Sequence, residues 1–415
     1  MTLATPLIEL ALDSRPKEAP NWVDVTGYCD AFSTNRGRAD EFGRIEAGRF
    51  SAQLDNSDGR WNPWNSGGPY YGDLKRQRRL RISAVWEGDT YRLGMGYVER
   101  WPQDRRGPLD ARVNLPAVDA LAILAQMDVV DAFDEELSGT RVNNILDAIG
   151  WTTGGGWVLG SSTNGILGDT TILTSSAGRA VSDGVSYVQA KDYSDRIGAK
   201  ALDTIREAEA AEDGLLYVRA DGSVTFVGRM ARLTSTSRAI FGDGGGDELP
   251  YVDALPTDDG PLYNDVRVTV TDGDTYSAED LGSQADYFLS SLPLQAALGT
   301  GRAGMEAQAR ADWYVTRHKD PLPRFRTIEL DPQGDDRLWP QVLARDIGDR
   351  ITVRCRPPGC GLIEQDCHIE RISHQFRLGD NGIDWRTAWE LSPANSNTYW
   401  VLGQSVLGDD TRLAY

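Results

Sequence analysis

FGRIEAGRFSAQLDNSDGRWNPWNSGGPYYGDLKRQRRLRI, residues 42–82, sets a strand, a polar turn, an aromatic loop and a basic strand in succession. Arg49 to Leu54 alternates with the two-residue period of a half-buried strand. Asp55-Asn56-Ser57-Asp58-Gly59 then supplies residues that hydrogen-bond or twist the backbone at a strand end. An EF-hand would need a glutamate six residues beyond its glycine, and that position holds Asn65, so the stretch reads as a turn. Pro63, Gly67, Gly68 and Pro69 punctuate the loop, whose Trp61, Trp64, Tyr70 and Tyr71 are candidate packing or interface anchors. In the basic run that follows, Arg76, Arg78 and Arg79 are candidate contacts to acidic surfaces of neighbouring subunits, with DNA contact as the other reading.

Working outward, Leu7 to Leu12, Trp22 to Val25, and Leu80 to Trp86 leading through Glu87-Gly88-Asp89 into Tyr91 to Val98 also read as strands. Residues 1–115 are therefore predicted to form a β-domain, a barrel or a sandwich. Residues 116–262 read as α+β. Pro116 is placed in the first turn of a helix carrying Val118, Leu121 and Ala125, and a second helix is predicted from Ser138 as N-cap to Gly150. A Gly, Ser and Thr-rich excursion spans 151–184, and a third helix runs from about Ala199 to Glu212. LLYVRADGSVTFVGR is a hairpin signal turning at Asp221-Gly222. GDGGGDE, residues 242–248, is a candidate boundary without the spacing of a phosphate cradle. Residues 263–394 are predicted as a second β-domain with a helix over 303–317, lined by Met305, Ala309 and Trp313 and closed by Pro321 and Pro323. Residues 395–415 read as a docking tail, in which Trp400 is a candidate interface residue. WVLG occurs at Trp157 and again at Trp400, each copy followed by a second LGD, which suggests paired docking or strand-addition segments.

The 415 residues suffice for two to four domains, and the formal charge of -19 disfavours stable binding to nucleic acid or anionic membrane. No stretch reaches the ~20 apolar residues of a membrane span and no secretory leader is evident, so cytoplasmic synthesis without a membrane anchor is expected. Among Cys29, Cys355, Cys360 and Cys367, the last three with His368 offer soft ligands but lack the short spacing of a zinc knuckle. His318, His368 and His374 are the only histidines, and His318 suits a cation at a helix end. No GxSxG, HExxH, Walker loop or cysteine-protease signature occurs, so nucleophilic and zinc-protease classes fall away. Sixty-two acidic residues make carboxylate pairs by chance, and neither a catalytic residue nor a cofactor site is assigned. The twelve tryptophans and fifteen tyrosines suit protein interfaces or, alternatively, a carbohydrate- or cell-wall-binding surface.

With these residues on the page, the chain resembles the minor tail proteins of long-tailed bacteriophages, especially those infecting actinobacteria. LDNSDGR leading to PYYG and a basic strand is similar to their N-terminal signature. DPLPRFRTIELDP, LWPQVLARDIGDRITVR and the terminal YWVLGQSVLGDDTRLAY are similar to their later segments. The resemblance implies a tail-tip hub of β-rich α+β class, with two β-barrel-like domains flanking a central α+β region. It further implies a homotrimer that closes the tail tube and forms part of the DNA exit channel. The implied partners are a distal tail or tail tube protein, a tape measure protein and downstream fibre or receptor-binding proteins, with DNA only in transit.

Overall fold

The alternating segments of the first 118 residues do form strands: β1 (Thr5–Ala11), β2 (Cys29–Gly37), β3 (Glu46–Asp55), β4 (Arg79–Trp86), β5 (Asp89–Val98) and β6 (Ala111–Val118). They pair antiparallel in the order β2-β3-β6-β5-β4-β1. In β3 the period of two turns Phe50, Ala52 and Leu54 into the core. This computed structural model describes residues 3–105, 107, 111–151, 178–194, 199–233, 235–257, 260–321, 323–379 and 382–394. Both WVLG segments, Trp400 and the proposed tail 395–415 lie outside the described residues, as does most of the excursion 151–184.

Pro116 does not open a helix. It sits inside β6 opposite Ser51, and its carbonyl accepts from the Glu99 amide at 2.9 Å. The helix α1 (Ala120–Leu124) starts later, on Asp119, whose carboxylate accepts from the Leu121 amide at 2.9 Å and the Gly48 amide at 2.7 Å. In α2 (Ser138–Ala148) Val142, Ile145 and Leu146 of the expected face are buried, while Ile149, the fourth residue of that face, is the half-buried C-cap, and Ser138 is not the N-cap. Its hydroxyl instead donates to Glu212 Oε2 at 2.8 Å, at the end of α3 (Ala201–Glu212). The hairpin β7 (Leu215–Val218) and β8 (Val224–Val227) turns where predicted, with Gly222 at φ +87. The glycine-rich GDGGGDE begins at the last residue of β9 (Ser237–Gly242).

β10 (Asp265–Val270), β11 (Thr275–Glu279) and β12 (Ser291–Ala296) form a separate three-stranded sheet against which α4 (Ala303–His318) packs. The predicted stripe of α4 is not its inner face. Met305 is exposed, whereas Ala307, Arg310, Ala311, Val315 and His318 are buried. Arg310 faces inward because its guanidinium donates to the carbonyls of Ala210 (2.7 Å) and Ala211 (2.6 Å) in the last turn of α3.

The remaining elements are β13 (Thr327–Leu330), α5 (Trp339–Ala344), β14 (Arg350–Cys355), β15 (Ile363–Gly379) and β16 (Gly382–Pro393). The long strand β15 pairs with β14 along its first half, with β2 over Arg371–Arg377, and with β16 on its other edge. It thereby fuses the N-terminal strands and the C-terminal strands into one thirteen-stranded sheet. The β-rich α+β expectation holds; no closed barrel occurs among the described residues, and strands from both halves of the chain feed one core. Phe32 of β2 stacks on Phe376 of β15 at 5.0 Å, and Trp385 of β16 meets both edge-on. The β10–β12 sheet and α4 share the other core with α2, α3 and the β7–β8 hairpin.

Candidate functional site

The 56–78 loop divides its aromatic residues between two roles. Trp61 is fully buried, stacked on Tyr70 at 5.0 Å and near Trp101 at 6.4 Å, and its indole nitrogen donates to the Asp55 carbonyl at 3.1 Å. Trp64 and Tyr71 point outward, 79% and 57% exposed. The arginines divide likewise. Arg76 is exposed and donates to the Glu99 carbonyl, whereas Arg78 and Arg79 are buried. Arg78 donates to the Ser14 carbonyl at 2.6 Å, and Arg79 to the carbonyls of Arg15 and Glu18. Those two guanidiniums tie the 14–18 segment to β4 and are not free surface cations.

The groups that could carry catalysis or bind a metal are dispersed or sequestered. His368 and His374 lie on one strand, β15. His318 does end a helix, but it is buried and its Nδ1 lies 3.3 Å from Arg324 Nη2, an arrangement that requires a neutral ring. Glu41 lies 3.7 Å from Nε2, yet it is already paired with Arg317 and Arg324. Burial, then the charges of Arg317 and Arg324, push His318 down to about 2, so the helix-end cation expected from sequence does not form. Burial also lowers His374 to about 3 and drives Cys29 up to about 12. Cys355 and Cys367 face the core while Cys360 is exposed, and among the described residues no three metal-ligating side chains converge.

Two charged constellations lie where the strand halves and the central elements meet. At the seam, Gly37 takes φ +112 beside a bulge between Ile369 and Arg371, and a Cβ there would stand 2.1 Å from the Glu370 carbonyl oxygen. The fully buried Glu370 side chain pairs with Arg38 at 2.7 Å and with Arg232, and accepts from Ser392 Oγ at 2.5 Å.

Beside it opens a cleft of about 370 Å³ between the β7–β8 hairpin and the turn that follows α5. Arg92, Arg219, Arg232, Arg238, Arg345 and Arg350 line it, against the two carboxylates Asp346 and Asp349. Leu215, Tyr217 and Ile347 contribute an apolar part. Arg36 reaches Asp346 at 2.8 Å and Arg238 reaches Asp349 at 3.3 Å. Burial lifts Asp349 above the usual carboxylate range and holds Arg345 below the usual guanidinium value. Five of the lining arginines are already paired, Arg219 with Asp346 at 3.8 Å, Arg238 and Arg345 with Asp349 at 3.3 and 4.0 Å, Arg232 with Glu370 and Arg350 with Asp366, so the lining is an internal charge network that ties the hairpin to the C-terminal strands. The cleft escapes sequence reading because its arginines come from positions spread between 92 and 350.

No protein-family model matches the chain, and no curated protein matches it by sequence. Among solved structures it is similar to the 43 kDa tail protein of prophage MuSo2 from Shewanella oneidensis, at 10% identity and TM-score 0.55, over 95% of this chain and 99% of that one. It is also similar to the tail protein from Neisseria meningitidis MC58, at 10% identity and TM-score 0.53, over 94% of this chain and 96% of that one. At such identities the likeness establishes a shared fold, and it does so over nearly the full length of each chain.

Proposed function

We propose that this chain is a structural virion protein, the tail-tip hub of a long-tailed bacteriophage. The observation that carries the reading is the end-to-end fold likeness to a prophage tail protein and to a second tail protein. The LDNSDGR to PYYG signature supports placing it with the minor tail proteins of actinobacteriophages. In this role a homotrimer closes the tail tube, meets a distal tail or tube protein and the tape measure protein, and carries fibres or receptor-binding proteins. The charge of -19 supports a channel wall along which DNA slides without binding. The role needs no turnover, and no residue is assigned to catalysis. Cryo-electron microscopy of the intact particle tests it: a ring of three copies at the tail tip is expected. Absence of the chain from the particle, or its location along the tail shaft, overturns the proposal.

The exposed Trp64 and Tyr71 favour a second reading, in which the 56–78 loop holds cell-wall carbohydrate. Retention on host cell-wall polysaccharide that disappears in W64A and Y71A supports this reading; equal retention of parent and variants removes it.

A further inference from the structure

Residues 279–290, EDLGSQADYFLS, follow β11 and carry four exposed large apolar side chains. Phe288 is 86% exposed, Leu281 69% and Leu289 61%, with Tyr287 beside them. A run of this kind marks an interaction site, unlike apolar residues scattered singly. Phe288 also has φ 63 and ψ 169, a region that only glycine visits without strain. The fully buried Asn264 enforces that backbone: its Nδ2 donates to the Phe288 carbonyl at 2.8 Å and to Ser283 Oγ at 3.1 Å, and its Oδ1 accepts from the Ser290 amide at 2.8 Å. The loop is thus braced to present an aromatic ring.

Its foot rests on the end of α4. Ser283 Oγ donates to the Lys319 carbonyl at 2.5 Å, and Lys319 Nζ donates to Asp280 at 3.0 Å. Two residues earlier, Arg317 donates to the Pro393 carbonyl, and the amide of Ala394, the last described residue, donates to the Asp366 carbonyl at 2.7 Å. The point where the described chain ends and the apolar loop are therefore moored to the same helix end. Lys319 keeps helical φ and ψ, so Arg317 and Lys319 stand about 200° apart around the axis and ~3 Å along it, on opposite sides of a cylinder ~10–12 Å across.

Beyond Ala394 the sequence supplies a polar spacer, Asn395-Ser396-Asn397-Thr398, and then the apolar Tyr399-Trp400-Val401-Leu402. Trp400 is the sixth residue past Ala394, and six extended residues span about 20 Å, enough to pass from one side of the helix end to the other. We infer that residues 399–402 dock on the 281–289 loop of their own chain, packing Trp400 and Leu402 against Phe288 and Leu289. This gives the WVLG at Trp400 an acceptor. The copy at Trp157 is the poorer occupant, because its flanks are moored elsewhere: Trp151 follows α2, its amide donates to the Leu146 carbonyl, and its indole nitrogen donates to the Gly178 carbonyl at 3.3 Å. Neither contact surface is charged at its centre, so the docking is apolar and insensitive to salt.

The test uses the full chain with the photoreactive residue p-benzoylphenylalanine replacing Phe288, mixed with nitrogen-15-labelled parent chain. Crosslinks from position 288 to residues 399–402 of the same unlabelled copy are expected, with equal yield in low and high salt. W400A should lower that yield by at least about tenfold. L289D, at a position too exposed to disturb the fold, should lower it likewise. Crosslinks to residues 157–160, to a labelled copy or to any other segment would overturn the inference. So would a yield unchanged in W400A and L289D. The contact does not rest on the phage-tail reading: it is measured on pure protein, whereas that reading stands or falls on the particle.

Discussion

Asn264 holds Phe288 in a backbone conformation that phenylalanine avoids, through a 2.8 Å hydrogen bond from its buried amide to the Phe288 carbonyl. Strain at such a position is about 1–3 kcal/mol. Glycine and alanine both remove the ring, but only glycine removes the Cβ conflict, so the unfolding free energy of F288G should exceed that of F288A by about 1 kcal/mol. Urea unfolding of the two variants separates them, and equal stabilities would show that the conformation is not strained.

The second prediction concerns the seam. Burial alone would raise the Glu370 carboxyl, but Arg232 and Arg38 hold it well below the usual carboxylate range. E370Q leaves both guanidiniums in a dry site without their counter-charge and should cost about 3–5 kcal/mol. Because the folded value lies below the unfolded 4.5, the Glu370 contribution is present above that pH and is lost as pH falls further. The parent should lose stability on acidification below about pH 4.5 more steeply than E370Q does. Parallel acid limbs for the two proteins would argue that the arginines find other partners.

The three histidines set the neutral-to-acid limb. His318, His368 and His374 are buried and all titrate below 6.5 in the folded chain, so the unfolded chain takes up their protons first. Their contribution is complete above about pH 6.5 and declines as pH falls, each group by up to about 1.4 kcal/mol per pH unit. Asp119 opposes them. Burial raises it to about 7, so it gains a proton on folding and contributes more as pH drops from 7 toward 4. Substituting His374 by glutamine retains a partner for Thr387 Oγ1, now 3.0 Å from Nδ1, and removes one titrating group. The slope of unfolding free energy against pH between 5 and 6 should then become shallower, and D119N should make it steeper. An unchanged slope in H374Q would mean that this ring is protonated in the fold.

Local order was legible in the sequence wherever one face of an element repeats. The alternation at Arg49 to Leu54, the Val142, Ile145 and Leu146 face and the Asp221-Gly222 turn all stand where their residues predict. What joins distant elements was not legible, because β2 and β15 carry no mark of each other and only the register Phe32 to Phe376 reveals the pairing. Buried arginines misled for a physical reason. Periodicity treats arginine as a surface residue, while Arg310 and Arg79 are interior hydrogen-bond donors to carbonyls supplied by other segments. The outward turn of residues 287–289 was hidden for the opposite reason. Tyr287-Phe288-Leu289 has the composition of a core segment, and only the clamp from Asn264 turns it outward.

The aromatic loop gives the sharpest separation of packing from interface. Trp61 is enclosed by Tyr70, Trp101 and Tyr28, so W61A opens a cavity in the first core and should cost about 3–5 kcal/mol. Trp64, three residues on, has little to lose within the chain. W64A should leave the unfolding free energy of the isolated protein within about 0.5 kcal/mol of the parent. If Trp64 is an assembly or ligand anchor, the same substitution should reduce incorporation into particles or retention on its ligand while the melting profile stays fixed. A W64A chain that unfolds as readily as W61A would place both rings in one core and remove Trp64 from the interface. Full assembly and full ligand retention with unchanged stability would leave its exposure without a function, and attention would pass to Tyr71, the other outward ring of the loop.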